Sequence, residues 1–374
     1  MFFFRKKIKH KKLLVLVSVV FLVGGYLYYF KAQNPSRNNL NTKSIQQDGT
    51  QKGDFEKISQ NLNIPWEVAF LPNGEILATE RPGALVSIKS GKRIEIAGVK
   101  HFGEAGLLGM SLSPNFQTNN FIYLYLASDT SSGVKNRVER YRLIGDSLSD
   151  RRVMIDGING SIFHDGGRIA FGPDNYLYIT TGDAQNPNSA QDKNSLSGKI
   201  LRINEDGSIP SDNPFGNAVY SYGHRNPQGL AWDDKGQLWA TEHGRSGIQS
   251  GLDELNLIEK GKNYGWPVIQ GDEKRDGMVT PIVNSGASTT WAPAGVVFYQ
   301  GSIFFGGLRG EALYEYKINE KKLVTHLKNE YGRIRAVVLG PDNYLYITTS
   351  NTDGRGSASE NDDKLIRINP KALN

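Results

Sequence analysis

The 374-residue chain contains no cysteine. That absence excludes disulfides, a thiolate nucleophile and any zinc or iron–sulfur centre held by thiolates. Histidine is scarce, six in all and never clustered, so nothing suggests a transition-metal site. Acidic residues are missing before Asp48, and nine of the 44 Lys and Arg lie in that stretch, leaving 35 basic against 38 acidic side chains beyond it. The net charge of +6 therefore belongs to the head of the chain, and the nearly neutral remainder gives no reason to expect a nucleic-acid partner. Helical periodicity is almost absent after residue 54.

The basic head 1–12 contains "RKKIKHKK", and "LLVLVSVVFLVGGYLYYF" follows over 13–30. Eighteen uncharged residues are about enough to cross a bilayer as a helix. The charge asymmetry predicts a cytoplasmic N-terminus, and Tyr26, Tyr28 and Tyr29 suit the far interface. A single-pass anchor with the remainder outside the cytoplasm is expected, a cleaved signal peptide being its rival. Residues 31–54, polar and poor in aromatics, read as a flexible tether.

From residue 55 to 374, short runs of apolar and aromatic residues alternate with Gly, Pro, Asn and Asp, an all-β pattern. One unit recurs, a Pro/Asp–Asn/Gly turn, an apolar strand and a polar exit: "LPNGEILATER", "SPNFQTNNFIYLYLAS", "GPDNYLYITTGD", "WDDKGQLWATEHG" and "GPDNYLYITTSN". "VVFYQGSIFFGGLRG" is a weaker copy. Six units at a period of roughly 50 residues predict a six-bladed β-propeller of four-stranded antiparallel blades. Gly172–Thr181 and Gly340–Thr349 are identical, so the shared segment is scaffold and function belongs to what differs at its ends.

The first copy opens on His164 and closes on Asp183. A histidine oriented by a carboxylate is a general base; a turn histidine and a capping aspartate fit the same two residues. "YGHRNPQGL" offers the Arg225 guanidinium and the Asn226 amide at a turn, suited to an oxyanion or carboxylate, though also to an exposed turn. Arg333 and Arg335 share a face if their segment is a strand, and with Arg309 they would suit a small polyanion. Asp253 and Glu254, beside the turn "GKNYGWP", supply oxygens of the kind calcium prefers.

Taken in order, "LNIPWEVAFLPNGEILATER", "GEAGLLGMSLSPNF", "HDGGRIAFGPDNYLYITTGD", "SGKILRINEDGSIPSDNPF", "GHRNPQGLAWD", "DELNLIEKGKNYGWP", "APAGVVFYQG" and "GRIRAVVLGPD" resemble the soluble quinoprotein glucose dehydrogenase and aldose sugar dehydrogenase family. The resemblance implies a six-bladed propeller that uses pyrroloquinoline quinone (PQQ) and calcium to oxidise the C1 hydroxyl of aldoses. It implies His164 as the base, Asp183 as its orienting carboxylate and Arg225 beside the quinone oxygen. It puts Asn226, His243, Thr290, Arg309, Arg333 and Arg335 around PQQ, a tricarboxylate, and Glu104 near the substrate. It implies calcium on the main-chain carbonyls of Gly244 and Arg245, and a second, structural calcium at Glu254 and Tyr264. Arg245 departs from the family pattern, which typically has proline there, and "RSGIQSG" lengthens the following loop. Two other readings compete: a propeller that binds glycans or a protein without redox chemistry, and a calcium-dependent lactone hydrolase, whose central carboxylate and amide cluster is not found among the repeat exits. The electron acceptor has no signature in the sequence.

Overall fold

The computed structural model describes residues 53–373; the basic head, the apolar segment 13–30 and nearly all of the tether lie outside them. Among the described residues no helix is long and apolar enough to cross a membrane. They form 24 strands in six four-stranded antiparallel sheets.

Strand β1 (Phe55–Ser59) is followed by the first complete blade, β2 (Pro65–Phe70), β3 (Ile76–Glu80), β4 (Ala84–Ser87) and β5 (Arg93–Glu95). The second blade is β6 (Leu107–Leu112), β7 (Phe121–Thr130), β8 (Gly133–Ile144) and β9 (Ser147–Asn159). The third is β10 (Ile169–Phe171), β11 (Leu177–Thr181), β12 (Lys199–Ile203) and β13 (Val219–Tyr222). The fourth is β14 (Pro227–Trp232), β15 (Leu238–Glu242), β16 (Glu254–Ile258) and β17 (Val283–Asn284). The fifth is β18 (Pro293–Tyr299), β19 (Ser302–Gly307), β20 (Ala312–Lys317) and β21 (Lys322–His326). Only β22 (Ile334–Leu339), β23 (Leu345–Thr349) and β24 (Leu365–Ile368) remain for the sixth.

Strand β1 completes it. It pairs with β24 in the register Phe55↔Ile368, Glu56↔Arg367 and Lys57↔Ile366. The two ends of the described chain thus close the ring with main-chain hydrogen bonds, and the last blade has no open edge at β24.

Each recurring unit is the turn from a blade's first strand to its second, plus the second strand. Those second strands are buried on both sides: all five residues of β3, β11, β15 and β23 are inaccessible. A strand between two neighbours, with a blade on either face, has no solvent side, which is why these runs read apolar throughout. The outermost β9, by contrast, is exposed along most of its length. Between blades the faces interlock through aromatic rings, as Tyr123 does edge-on to Phe171 with centroids 5.1 Å apart. Within blade five Trp291, Phe305 and Tyr314 form a further cluster, and Phe305→Ala there would cost about 3–5 kcal/mol.

The identical segments have identical local chemistry. Gly172 N donates to Tyr176 O and Gly340 N to Tyr344 O, closing the same turn. The hydroxyls of Tyr178 and Tyr346 donate to Asp174 and Asp342 at 2.9 and 3.0 Å. Each aspartate also takes an arginine from the third strand, Arg202 or Arg367. Ten shared residues thus encode one hairpin used in blades three and six.

Candidate functional site

In an antiparallel blade the first strand begins at the end where the second finishes. A residue just before a first strand and one just after a second strand therefore meet on the same face of the ring. Glu104, His164, Arg225, Asn226, Thr290 and Arg333 precede first strands; Arg81, Asp183, His243, Gly244 and Arg309 follow second strands. The repeat phase alone brings these side chains to one end of the channel.

His164 and Asp183 are within direct reach of each other, Nδ1 to Oδ1 at 2.8 Å. The other carboxylate oxygen accepts the indole N–H of Trp266 at 2.8 Å. Burial opposes ionisation of Asp183, but the bonds from His164 and Trp266 outweigh it and hold the carboxyl below its usual range. The imidazole side chain is 16% exposed, and its Nε2 has no hydrogen-bond partner among the described residues. Backbone geometry presses the two together: a Cβ on Gly182 would collide with the His164 carbonyl oxygen. His164 itself sits at φ +65°, left-handed backbone that costs a non-glycine residue on the order of 1 kcal/mol. Glu104 helps to hold it there, accepting the His164 N–H at 3.0 Å.

Arg225 is buried, its N–H bonded to the Glu242 carboxylate and its Nη2 donating to Ser246 Oγ at 2.8 Å. Its guanidinium carbon lies 5.3 Å from the Trp266 ring centroid. Asn226 is fully buried, its Oδ1 accepting from Gly166 N at 3.0 Å. Burial pushes the His243 imidazole down to about 4, so it is neutral at neutral pH. Burial, with Arg81 as a neighbouring cation, pushes Arg335 down to about 9.

Below these residues the channel is plugged. Arg168 spans from blade three to the Glu67 carboxylate of blade one and to Gln228 O of blade four, at 2.9 Å for the latter. Arg335 reaches Gln228 Oε1 from blade six at 2.9 Å, and both guanidinium groups lie over Trp66, at 4.1 and 5.7 Å.

Among the buried nitrogens with no partner in the described residues are four at the channel end: Arg225 Nε, Asn226 Nδ2, His243 Nε2 and Arg335 Nε. Unpaired buried donors are costly, and four from blades four and six, of three residue types, call for one acceptor-rich guest. An anionic molecule with several carboxylates is such a guest, so these residues fit PQQ.

The remaining candidates are placed as follows. Thr290 Oγ1 donates to Asp253 Oδ2 at 2.6 Å, and Arg309 stands exposed at the rim. Arg333 binds Asp353 at 2.7 Å and donates to the carbonyls of Ser350 and Leu308. Arg333 and Arg335 thus reach the same end but different partners. Asp253 is consumed structurally, by Gly244 N, Thr290, Trp291 N and Ala292 N. The Arg245 carbonyl is held only weakly, by Gly251 N at 3.3 Å, and its guanidinium turns to Ala287 O at 3.4 Å. Burial and the nearby Glu242 raise Glu254 to about 8, and the Tyr264 hydroxyl is spent on Leu257 O. Among the described residues no three acidic or histidine side chains gather as a metal cluster.

Residues 62–367 match the Glucose / Sorbosone dehydrogenase family. The chain belongs to that family. It is 32% identical over 360 residues to aldose sugar dehydrogenase YliI of Escherichia coli, covering 85% of this chain and 93% of that protein. The PQQ-bound aldose sugar dehydrogenase of Streptomyces coelicolor superposes with a TM-score of 0.77 at 39% identity, covering 83% of this chain and 96% of the other. A Thermus protein described as a putative oxidoreductase (glucose dehydrogenase) gives 0.78 at 41%, covering 84% of this chain and 98% of the other.

Sequence reasoning did not single out Trp266 as a partner of Asp183, the channel plug of Glu67, Arg168 and Gln228, or the residues Arg81, Asp353 and Arg355. Arg81 had a usable signal, since it ends the first recurring unit where Asp183 ends the third. Trp266, the channel plug and the Arg355–Glu104 pair meet only where different blades come together.

Proposed function

We propose that this family member is a PQQ-dependent aldose sugar dehydrogenase, held at the cell membrane by residues 13–30 with its propeller outside the cytoplasm. The single observation that carries the enzymatic reading is the His164–Asp183 pair, with Nε2 left free beside the four unpaired buried donors.

When bound, PQQ supplies a two-electron acceptor for the hydride of the sugar carbon. Arg225, Asn226, His243, Thr290, Arg309, Arg333 and Arg335 would hold it, with calcium on the carbonyls of Gly244 and Arg245 and a structural calcium at Glu254 and Tyr264. The chain itself manages the proton. Asp183 accepts from Nδ1, which fixes the tautomer with a lone pair on Nε2, and Nε2 takes the proton of the C1 hydroxyl. As the imidazole becomes cationic, the Asp183 carboxylate stabilises it, and Trp266 keeps that carboxylate from turning away. Glu104 fixes the backbone of His164, and so the direction of Nε2.

PQQ titration of the protein with calcium present, followed by dye reduction on a panel of aldoses, tests this. Stoichiometric binding with sugar-dependent reduction is expected; a folded protein that binds no PQQ contradicts the proposal.

A further inference from the structure

We propose that Arg355 is a specificity-determining residue: paired with Glu104 at the lip of the His164 site, it makes the sugar subsite electrically neutral and so selects uncharged aldoses over acidic and amino sugars. This rests on the dehydrogenase reading and adds to it the charge class of the substrate.

Arg355 Nη1 lies 2.6 Å from Glu104 Oε1, 251 residues away in the chain, while Glu104 Oε2 takes the His164 N–H at 3.0 Å. The pair is thus one hydrogen bond from the backbone of the base. The guanidinium also covers the half-exposed Phe163 ring, next to His164, at 5.2 Å from its centroid. The Arg355 side chain is 45% exposed, and its Nε and Nη2 have no partner among the described residues, so donors remain for a substrate oxygen at the lip. Its position is built rather than accidental. Asp353 Oδ1 accepts the Arg355 N–H at 2.9 Å, and Asp353 Oδ2 is clamped by Arg333. The next residue, Gly356, packs so closely that a Cβ would meet the Asn351 backbone at 2.7 Å and Arg333 Cδ at 2.8 Å.

Charge sets the selection. Glu104 is a carboxylate at neutral pH, because Arg355 and the main-chain N–H of His164 overcome its burial and hold it at about 2. With Arg355 present the Glu104 charge beside His164 is matched by one of opposite sign. Remove Arg355 and a lone anion faces the sugar, which disfavours a carboxylate and favours an ammonium group. Neutralise Glu104 and the preference inverts. Near a surface such a charge is worth roughly tenfold in relative affinity.

The test compares kcat/KM for glucose, glucosamine and glucuronate in the full chain loaded with PQQ, using wild type, Arg355→Ala, Arg355→Lys and Glu104→Gln. Wild type is expected to favour glucose over both charged sugars. The glucosamine-to-glucuronate ratio should rise about tenfold in Arg355→Ala, fall about tenfold in Glu104→Gln, and return toward wild type in Arg355→Lys. A merely structural role would lower all three sugars together and leave the ratio alone. Ratios within twofold of wild type in both Arg355→Ala and Glu104→Gln overturn the proposal, as does a wild type that prefers a charged sugar. Should wild type turn over no sugar, the dehydrogenase reading falls separately, and the same ratios are read from sugar-binding titrations. Absence of binding by all three sugars overturns this inference too.

Discussion

His164 Nδ1 and Asp183 Oδ1 lie 2.8 Å apart, and the remaining Asp183 oxygen is held by the indole of Trp266, 83 residues further along the chain. The carboxylate is thereby fixed from both sides, and the imidazole that bonds to it has one orientation and one tautomer. Asp183→Asn keeps the shape of the side chain but removes the charge that stabilises an imidazolium. We expect turnover to fall about 10²–10⁴-fold while PQQ binding stays within a few-fold of wild type. Parallel steady-state kinetics and cofactor titration check this.

Glu104 predicts a pH dependence of stability. Its folded carboxyl, held at about 2 against an ordinary 4.5, is depressed, so its contribution is present above about 4.5 and is lost as the pH falls toward 2. The side chain is 18% exposed, and the contribution is on the order of 2–3 kcal/mol. Denaturant melts between pH 2 and 5 should show a steeper acid loss in wild type than in Glu104→Gln.

The channel plug predicts an asymmetry between single and paired substitutions. Glu67→Ala strands the buried Arg168 cation and should destabilise the propeller by about 3–5 kcal/mol. Replacing both, Glu67→Met with Arg168→Leu, removes the stranded charge and should recover most of that loss. Urea melts of the single and double variants distinguish this from simple loss of packing.

Closure of the ring by β1 predicts a sharp truncation boundary. A chain starting at residue 53 keeps Phe55–Ser59 and should melt cooperatively. A chain starting at residue 60 leaves β24 as an open edge and should aggregate or lose several kcal/mol of stability. Light scattering and thermal melts of the two proteins test it.

Much of this architecture was legible in the sequence, because a blade announces itself locally. "GPDNYLYITT" specifies a turn and a buried strand wherever it occurs, and the same phase in six units sets the number of blades. The ends of the repeat were legible too: Gly182–Asp183 in blade three stands where Ser350–Asn351 stands in blade six, and only the former sits beside a histidine. Asn351 instead accepts the Arg333 N–H at 2.9 Å, a structural task at the equivalent position. What could not be read is what ring closure brings together. Trp266 reads as a packed turn residue until the ring puts it against Asp183, and Arg355 reads as a loop cation until it lies on Glu104. The completion of the sixth blade by β1 was hidden for the same reason, since the pairing joins residues more than 300 positions apart.

The most direct test of the account is His164→Ala, with PQQ binding and sugar oxidation measured on the same sample. The account predicts near wild-type cofactor titration with turnover reduced by at least about 10²-fold, since the base alone is removed. Undiminished turnover in the presence of bound PQQ would contradict it.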